Sequence, residues 1–184
     1  MHFKLRRRAT LHILAAACLC ALAATGAAAG EQPPAAAPSL DRLAAMSWPE
    51  LEEIYRASAA GAIPVGYTAG RAIYCPCSRF AGVRSLATKA AWRGKVFDDD
   101  GCGLVNQWCG FRAIKARVSY GPSRLDGQAS ILMDYGQTSW VWADVRDEAR
   151  EVAPGLYLGR MYRCRHGCPE FQTFFALQIC PEQP

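Results

Sequence analysis

In "SLDRLAAMSWPELEEIYRAS" (39–58) the apolar residues Leu40, Leu43, Ala44, Leu51, Ile54 and Tyr55 recur at intervals of three and four. One face of an α-helix has that period, so the stretch predicts a short helical segment and then a second helix from about 48 to 58. Ser47 is placed to cap the second helix, Pro49 suits its first turn, and Gly61 and Pro64 stop it. After Gly66 the period drops to two and turn residues recur at short intervals, the pattern of consecutive antiparallel strands. The candidate strands are 70–77, 90–98, 103–110, 112–121, 128–136, 138–145, 147–154, 156–163 and 170–179. Asp-Gly pairs in "DDDGCG" and "RLDGQ", together with "APGLY", supply tight connections. Sequential strands of even length close readily into a barrel, because closure removes the exposed edges of an open meander. The expected fold is mainly β: a small antiparallel up-and-down barrel of eight or nine strands with one or two short N-terminal helices. A two-sheet sandwich is the alternative.

The start of the chain follows a different logic. Lys4, Arg6, Arg7 and Arg8 precede an apolar run from Leu11 to Ala24, and small residues lead up to Glu31. That order reads as a secretory signal peptide over residues 1–30. The apolar run is shorter than the roughly 20 residues of a bilayer span, so the mature chain is expected to be exported, periplasmic or extracellular, without a transmembrane segment. "EQPPAAAPS" (31–39) is a flexible lead-in by composition, and 40–184 is read as a single domain.

Removing the leader changes the charge. The whole chain carries +5, but residues 31–184 hold 17 basic against 16 acidic residues, a net of +1. Nucleic acid loses its main electrostatic support, since the basic residues are also scattered singly rather than gathered into a stripe.

"WRGKVFD", "SRLDGQASILMDYG", "VRDEAREVAPGLYLGRMY" and "GAIPVGYTAGRAIY" resemble a family of secreted or periplasmic bacterial proteins of unassigned activity. The shape of that family is similar to calycin-like barrels, the group that contains lipocalins and fatty-acid-binding proteins. The similarity runs from about Trp48 to Phe175, and Trp92-Arg93-Gly94 resembles the tryptophan–glycine signature of barrel first strands, although Ala90 stands where a glycine is expected. The resemblance implies a barrel.

On the strand "LYLGRMYR" (156–163), Leu156, Leu158, Arg160 and Tyr162 share one face, and Tyr157, Gly159, Met161 and Arg163 the other. If the first set points inward, Arg160 and Tyr162 stand above a leucine-lined interior as a clamp for the carboxylate of an amphipathic ligand. Arg-x-Tyr is similar to the clamp near the end of fatty-acid-binding barrels. In "DVRDEAREV", Arg146, Glu148 and Arg150 share a face, either as a solvated ion-pair ladder or as an interior polar network with Asp134 and Tyr135 of the neighbouring strand. The ligand-binding candidates are thus Arg160, Tyr162, Leu158, Asp134, Tyr135 and Arg146.

Seven cysteines follow the leader: Cys75, Cys77, Cys102, Cys109, Cys164, Cys168 and Cys180. In an oxidising compartment they are disulfide candidates. Cys75, Cys77, Cys164, His166 and Cys168 are the alternative ligand set for a thiolate-bound metal, with spacing unlike the usual zinc modules. No Cys-x-x-Cys-His occurs, which leaves noncovalent haem on His166 or a tyrosine as the form haem would take. The expectation is no cofactor and no catalytic set, there being no nucleophile elbow, phosphate loop or redox Cys-x-x-Cys. Three functions stay open: a binding barrel for a small apolar or amphipathic molecule, a disulfide-stabilised interaction protein, and an enzyme using a polar interior.

Overall fold

The computed structural model describes residues 38–74 and 91–180. Two helices open the described chain, α1 (Leu40–Ala45) and α2 (Trp48–Ala57). Ser39 caps α1 by accepting from the Arg42 N–H at 3.2 Å. At the start of α2 the Glu50 carboxylate accepts from the Ser47 N–H at 2.8 Å and its hydroxyl at 2.6 Å. The Glu50 carboxylate thus satisfies the Ser47 donors at the helix start, and Pro49 suits a position whose N–H has no partner.

Eight antiparallel strands then close in sequence order, with β8 returning to β1. They are β1 (Gly66–Ile73), β2 (Trp92–Phe97), β3 (Gly103–Trp108), β4 (Phe111–Pro122), β5 (Ala129–Asp134), β6 (Val145–Ala153), β7 (Leu156–Arg165) and β8 (Cys168–Ile179). The ninth run expected at 138–145 is a loop. Both the Thr138 and Ser139 N–H groups donate to the Tyr135 carbonyl, and the Val145 N–H donates to that of Trp142, so successive turns use the backbone groups a ladder would need.

All eight strands send side chains into one interior core, among them Ala72, Phe97, Leu104, Val118, Met133, Ala149, Tyr157 and Leu177. A second core lies outside the barrel wall, where Leu43, Leu51 and Tyr55 of the helices cover Ile73, Leu156, Leu158, Phe174 and Ala176 of β1, β7 and β8. Where the helices cover them these strands are buried on both faces, which erases there the polar-out alternation that would tell inside from outside. Within the wall, Gly159 faces inward beneath the Phe175 ring, which occupies the space a Cβ would need.

The two ends of the barrel differ. One is closed by the segment after α2: the Tyr157 hydroxyl donates to the Ala62 carbonyl at 2.8 Å, Ala59 bridges Glu151, and Ala60 and Ile63 pack onto the interior. The other carries the β3–β4, β5–β6 and β7–β8 connections, and there Trp108 and Trp142 pack edge to face, 6.4 Å apart. No helix of the described residues is long and apolar enough to cross a membrane. The expected signal peptide, most of the lead-in, Cys75 and Cys77 lie outside the described residues.

Candidate functional site

The interior is not uniformly apolar. Toward the tryptophan-lined end, Lys95 of β2 projects inward and is 2% exposed. Its Nζ donates to Tyr135 Oη at 2.7 Å, Asp147 Oδ2 at 2.9 Å and Asn106 Oδ1 at 3.1 Å. An ammonium has three N–H donors, and all three are used. Around them, Trp92 Nε1 donates to Asn106 Oδ1 at 3.1 Å, Asn106 Nδ2 donates to the Ile114 carbonyl at 2.9 Å, and the Tyr135 hydroxyl lies 3.1 Å from Asp147 Oδ2. The rings of Trp92, Tyr135 and Phe175 stand 5.2–5.6 Å from the ammonium, close enough for cation–π attraction.

One member of this centre is incompletely satisfied. Asp147 Oδ1 is buried and accepts no hydrogen bond from any described residue, and Trp108 Nε1 is a buried donor without an acceptor among the described residues. Trp108 packs on Trp142, and Trp142 lies 5.6 Å from Tyr135, so acceptor and donor belong to one aromatic-walled region. A buried polar atom left without a partner costs roughly 1–3 kcal/mol, more when charged. The site therefore favours a guest that brings a donor to Asp147.

Burial sets the protonation of the centre. Desolvation is the largest influence on Tyr135 and, with the Asp147 charge, pushes its hydroxyl up to about 12. For Lys95 burial disfavours the charge, but Tyr135 and Asp147 outweigh it and the ammonium is held above its ordinary range. The site thus presents an ammonium and a neutral phenol at neutral pH.

A bulge explains why these residues come together. The β2–β3 register shifts between Trp92 and Gly94, so Trp92 and Lys95, three residues apart, both face inward. Gly94 sits at φ +136°, and a Cβ there would fall on the Thr68 carbonyl oxygen, so the kink depends on glycine. Strict alternation from Trp92 puts Lys95 outside, and neither Lys95 nor Asn106 stands out in the sequence. Asn106 is legible in retrospect, two residues from inward Leu104, as is Asp147, two from inward Val145.

The residues singled out from sequence are placed as follows. Leu158, Arg160 and Tyr162 do share a face, but it is the outer wall under α2 rather than the interior. Arg160 is 4% exposed; it donates through Nη1 to Glu52 at 3.1 Å and through Nε to the Tyr162 hydroxyl at 2.9 Å, and it stacks 4.1 Å from the Phe171 ring. Asp134, Arg146 and Tyr162 are consecutive cross-strand neighbours, also on the outer wall. Tyr135 alone of the six lies in the interior centre. The charged face of β6 is neither solvated nor interior: Glu148 and Arg150 are fully buried beside α2. Glu148 accepts from the Ser123 hydroxyl at 2.7 Å and the Arg124 N–H at 3.0 Å and pairs with Arg146, while Arg150 binds Asp126 at 2.6 Å, Ser130 at 2.9 Å and the Tyr55 carbonyl at 3.0 Å. Between α2 and β8 a groove of about 520 Å³ is lined by Trp48, Glu52, Glu53, Arg56, Phe171 and Phe174.

The five described cysteines, Cys102, Cys109, Cys164, Cys168 and Cys180, form no disulfide with one another, while Cys75 and Cys77, the expected partners of the C-terminal cysteines, lie outside the described residues. Cys102, before β3, and Cys180, after β8, lie at the closed end, and Cys109, Cys164 and Cys168 lie at the other. Cys164 pairs with Pro169 and Cys168 with Arg165, so Cys164 and Cys168 project to opposite faces. No group of three His, Cys, Asp or Glu among the described residues is arranged to hold a metal.

An eight-stranded up-and-down barrel with a buried Lys–Asp–Tyr–Asn centre is the class that fold and site define. Among solved structures, that of a protein from Thermomonospora curvata superposes with a TM-score of 0.51 at 18% identity, over 74% of this chain and 89% of that one. The likeness concerns the barrel fold. No family model and no curated protein matches the chain.

Proposed function

We propose that the protein is an exported binding barrel for a small apolar or amphipathic molecule, held in the tryptophan-walled half of the interior. The observation that carries this reading is Asp147 Oδ1, a buried carboxylate oxygen without a donor among the described residues. Its chemistry selects the ligand's polar end: Lys95 has no N–H to spare for an anion, so a hydroxyl or N–H group directed at Asp147 fits and a carboxylate does not. The apolar remainder would lie against Trp92, Trp108, Trp142 and Phe175.

N-phenyl-1-naphthylamine, an apolar probe with one N–H, tests this on residues 36–184, which form one compact unit. The probe should bind with enhanced emission and be displaced by 1-decanol far better than by decanoate, and Asp147→Leu with Lys95→Met should abolish binding. Equal displacement by alcohol and acid, or binding unchanged in the double variant, would refute it.

The groove beside Arg160 favours a second reading. There Nη2 of Arg160 makes no hydrogen bond with a described residue, and aromatic walls adjoin it, so an anionic amphipath would dock on the outer wall. Decanoate binding that is lost in Arg160→Ala and kept in Arg163→Ala would support this second site; equal effects of the two changes would remove it.

A further inference from the structure

The tryptophan-walled end of the barrel also carries the two most exposed large apolar side chains of the described structure, Trp140 and Phe111, with Val141 beside them. Trp140 is 93% exposed and Val141 54%, both in the β5–β6 loop, and Phe111 at the start of β4 is 58% exposed. They belong to one surface. Phe111 stacks on Trp108, Trp108 packs on Trp142, and the Thr138 hydroxyl ties the loop to the Lys115 carbonyl. Together with the adjoining aromatic rings, Trp140, Val141 and Phe111 form an apolar patch of the kind that marks an interaction surface.

Charge indicates what docks. Arg93, Arg112 and Lys115 are exposed at this end and form no ion pair with a described carboxylate. The acids here are Asp134, whose carboxylate accepts from the Gly136 N–H, Asp144, which pairs with Arg163, and Glu170. The opposite end carries Asp98, Asp99 and Asp100 in the β2–β3 turn. The basic groups Arg93, Arg112 and Lys115 thus share the end that carries Trp140, the most exposed aromatic side chain of the described residues.

From this coincidence we infer that the Trp140 end docks on an anionic lipid surface, with Trp140, Val141 and Phe111 entering the interfacial layer and Arg93, Arg112 and Lys115 facing the headgroups. Indole rings favour the interface, and cations beside them add attraction to anionic lipids. A single-stranded nucleic acid would also meet basic and aromatic groups, but an aliphatic valine between two tryptophans offers a wedge for acyl chains rather than a stacking platform. The inference is independent of the interior ligand, so each can fail alone. It does place the docking surface at the end opposite the closed one, where a molecule leaving a membrane would enter.

The test is flotation of residues 36–184 with vesicles of phosphatidylcholine alone and of phosphatidylcholine mixed with phosphatidylglycerol. Binding should require phosphatidylglycerol and weaken at about 0.5 M salt, where screening shortens the Debye length well below its ~8 Å physiological value. Trp140→Ser should weaken it by about tenfold or more, the scale of one large apolar side chain, and Arg112→Ser and Lys115→Ser by about fivefold each. Val65→Ser, at the closed end and as exposed as Val141, should leave binding unchanged. Failure to float with the mixed vesicles, binding that survives Trp140→Ser, or capture of a single-stranded oligonucleotide in place of vesicles would overturn it.

Discussion

Lys95 and Asp147 form an ion pair buried on all sides, and its worth depends on which partner is removed. Lys95→Met leaves an uncompensated carboxylate in the interior and should cost about 3–5 kcal/mol in urea unfolding, whereas replacing both residues with apolar ones of similar volume should recover most of that loss. If the double variant is as unstable as the single one, the pair is not the unit described here. The pair also fixes an alkaline limit. Lys95 is held above its ordinary 10.5 and Tyr135 is pushed up to about 12. Both groups keep their protons longer folded than unfolded, so their contribution is complete below about pH 10 and disappears as the pH rises through the folded values. Stability measured from pH 9 to 12 should fall more steeply for the native chain than for the Lys95→Met, Asp147→Leu variant. At this scale the sequence was least legible: one bulge, made possible by Gly94, inverts Lys95, and no periodicity announces a bulge.

At the scale of elements, the pattern of apolar positions was sufficient for both helices, for closure, and for most strand positions, because period and caps are local properties. It misjudged 138–145, where Trp140 and Trp142 alternate with smaller residues as they would on a strand although the segment turns on itself. It also did not say which face of β7 is inside. Leu156, Leu158, Arg160 and Tyr162 are as buried as their opposite-face neighbours because α2 covers them, and that covering is a long-range fact. The helix is fastened through Arg150, fully buried between β6, Tyr55 and Asp126. Arg150→Ala should destabilise by about 3–5 kcal/mol, as expected when a buried pair loses one member. The hydrogen bond from Arg150 is the main cause holding the Asp126 carboxyl below its ordinary 3.8, so its contribution is present above that pH and lost as the pH falls through the folded value. Asp126→Asn should accordingly flatten the decline of stability below pH 4; an unchanged acid profile would mean the pair does not hold the helix.

For the whole molecule, closure by residues 59–63 at one end and tryptophans at the other gives the barrel a direction. The polar centre sits under the tryptophans, the basic groups surround them, and the acidic turn lies at the far end. On the proposed reading a ligand held beneath Trp108 and Trp142 would lie against aromatic surface and direct a single hydrogen-bond donor at Asp147 Oδ1. The most direct test is a crystal structure of residues 36–184 grown with 1-decanol. The account predicts the alkyl chain between Trp92, Trp108 and Trp142, with its hydroxyl about 2.5–3.0 Å from Asp147 Oδ1, the normal O–H···O range. An ordered water satisfying that oxygen in a closed interior, with decanol absent from the barrel, would contradict it.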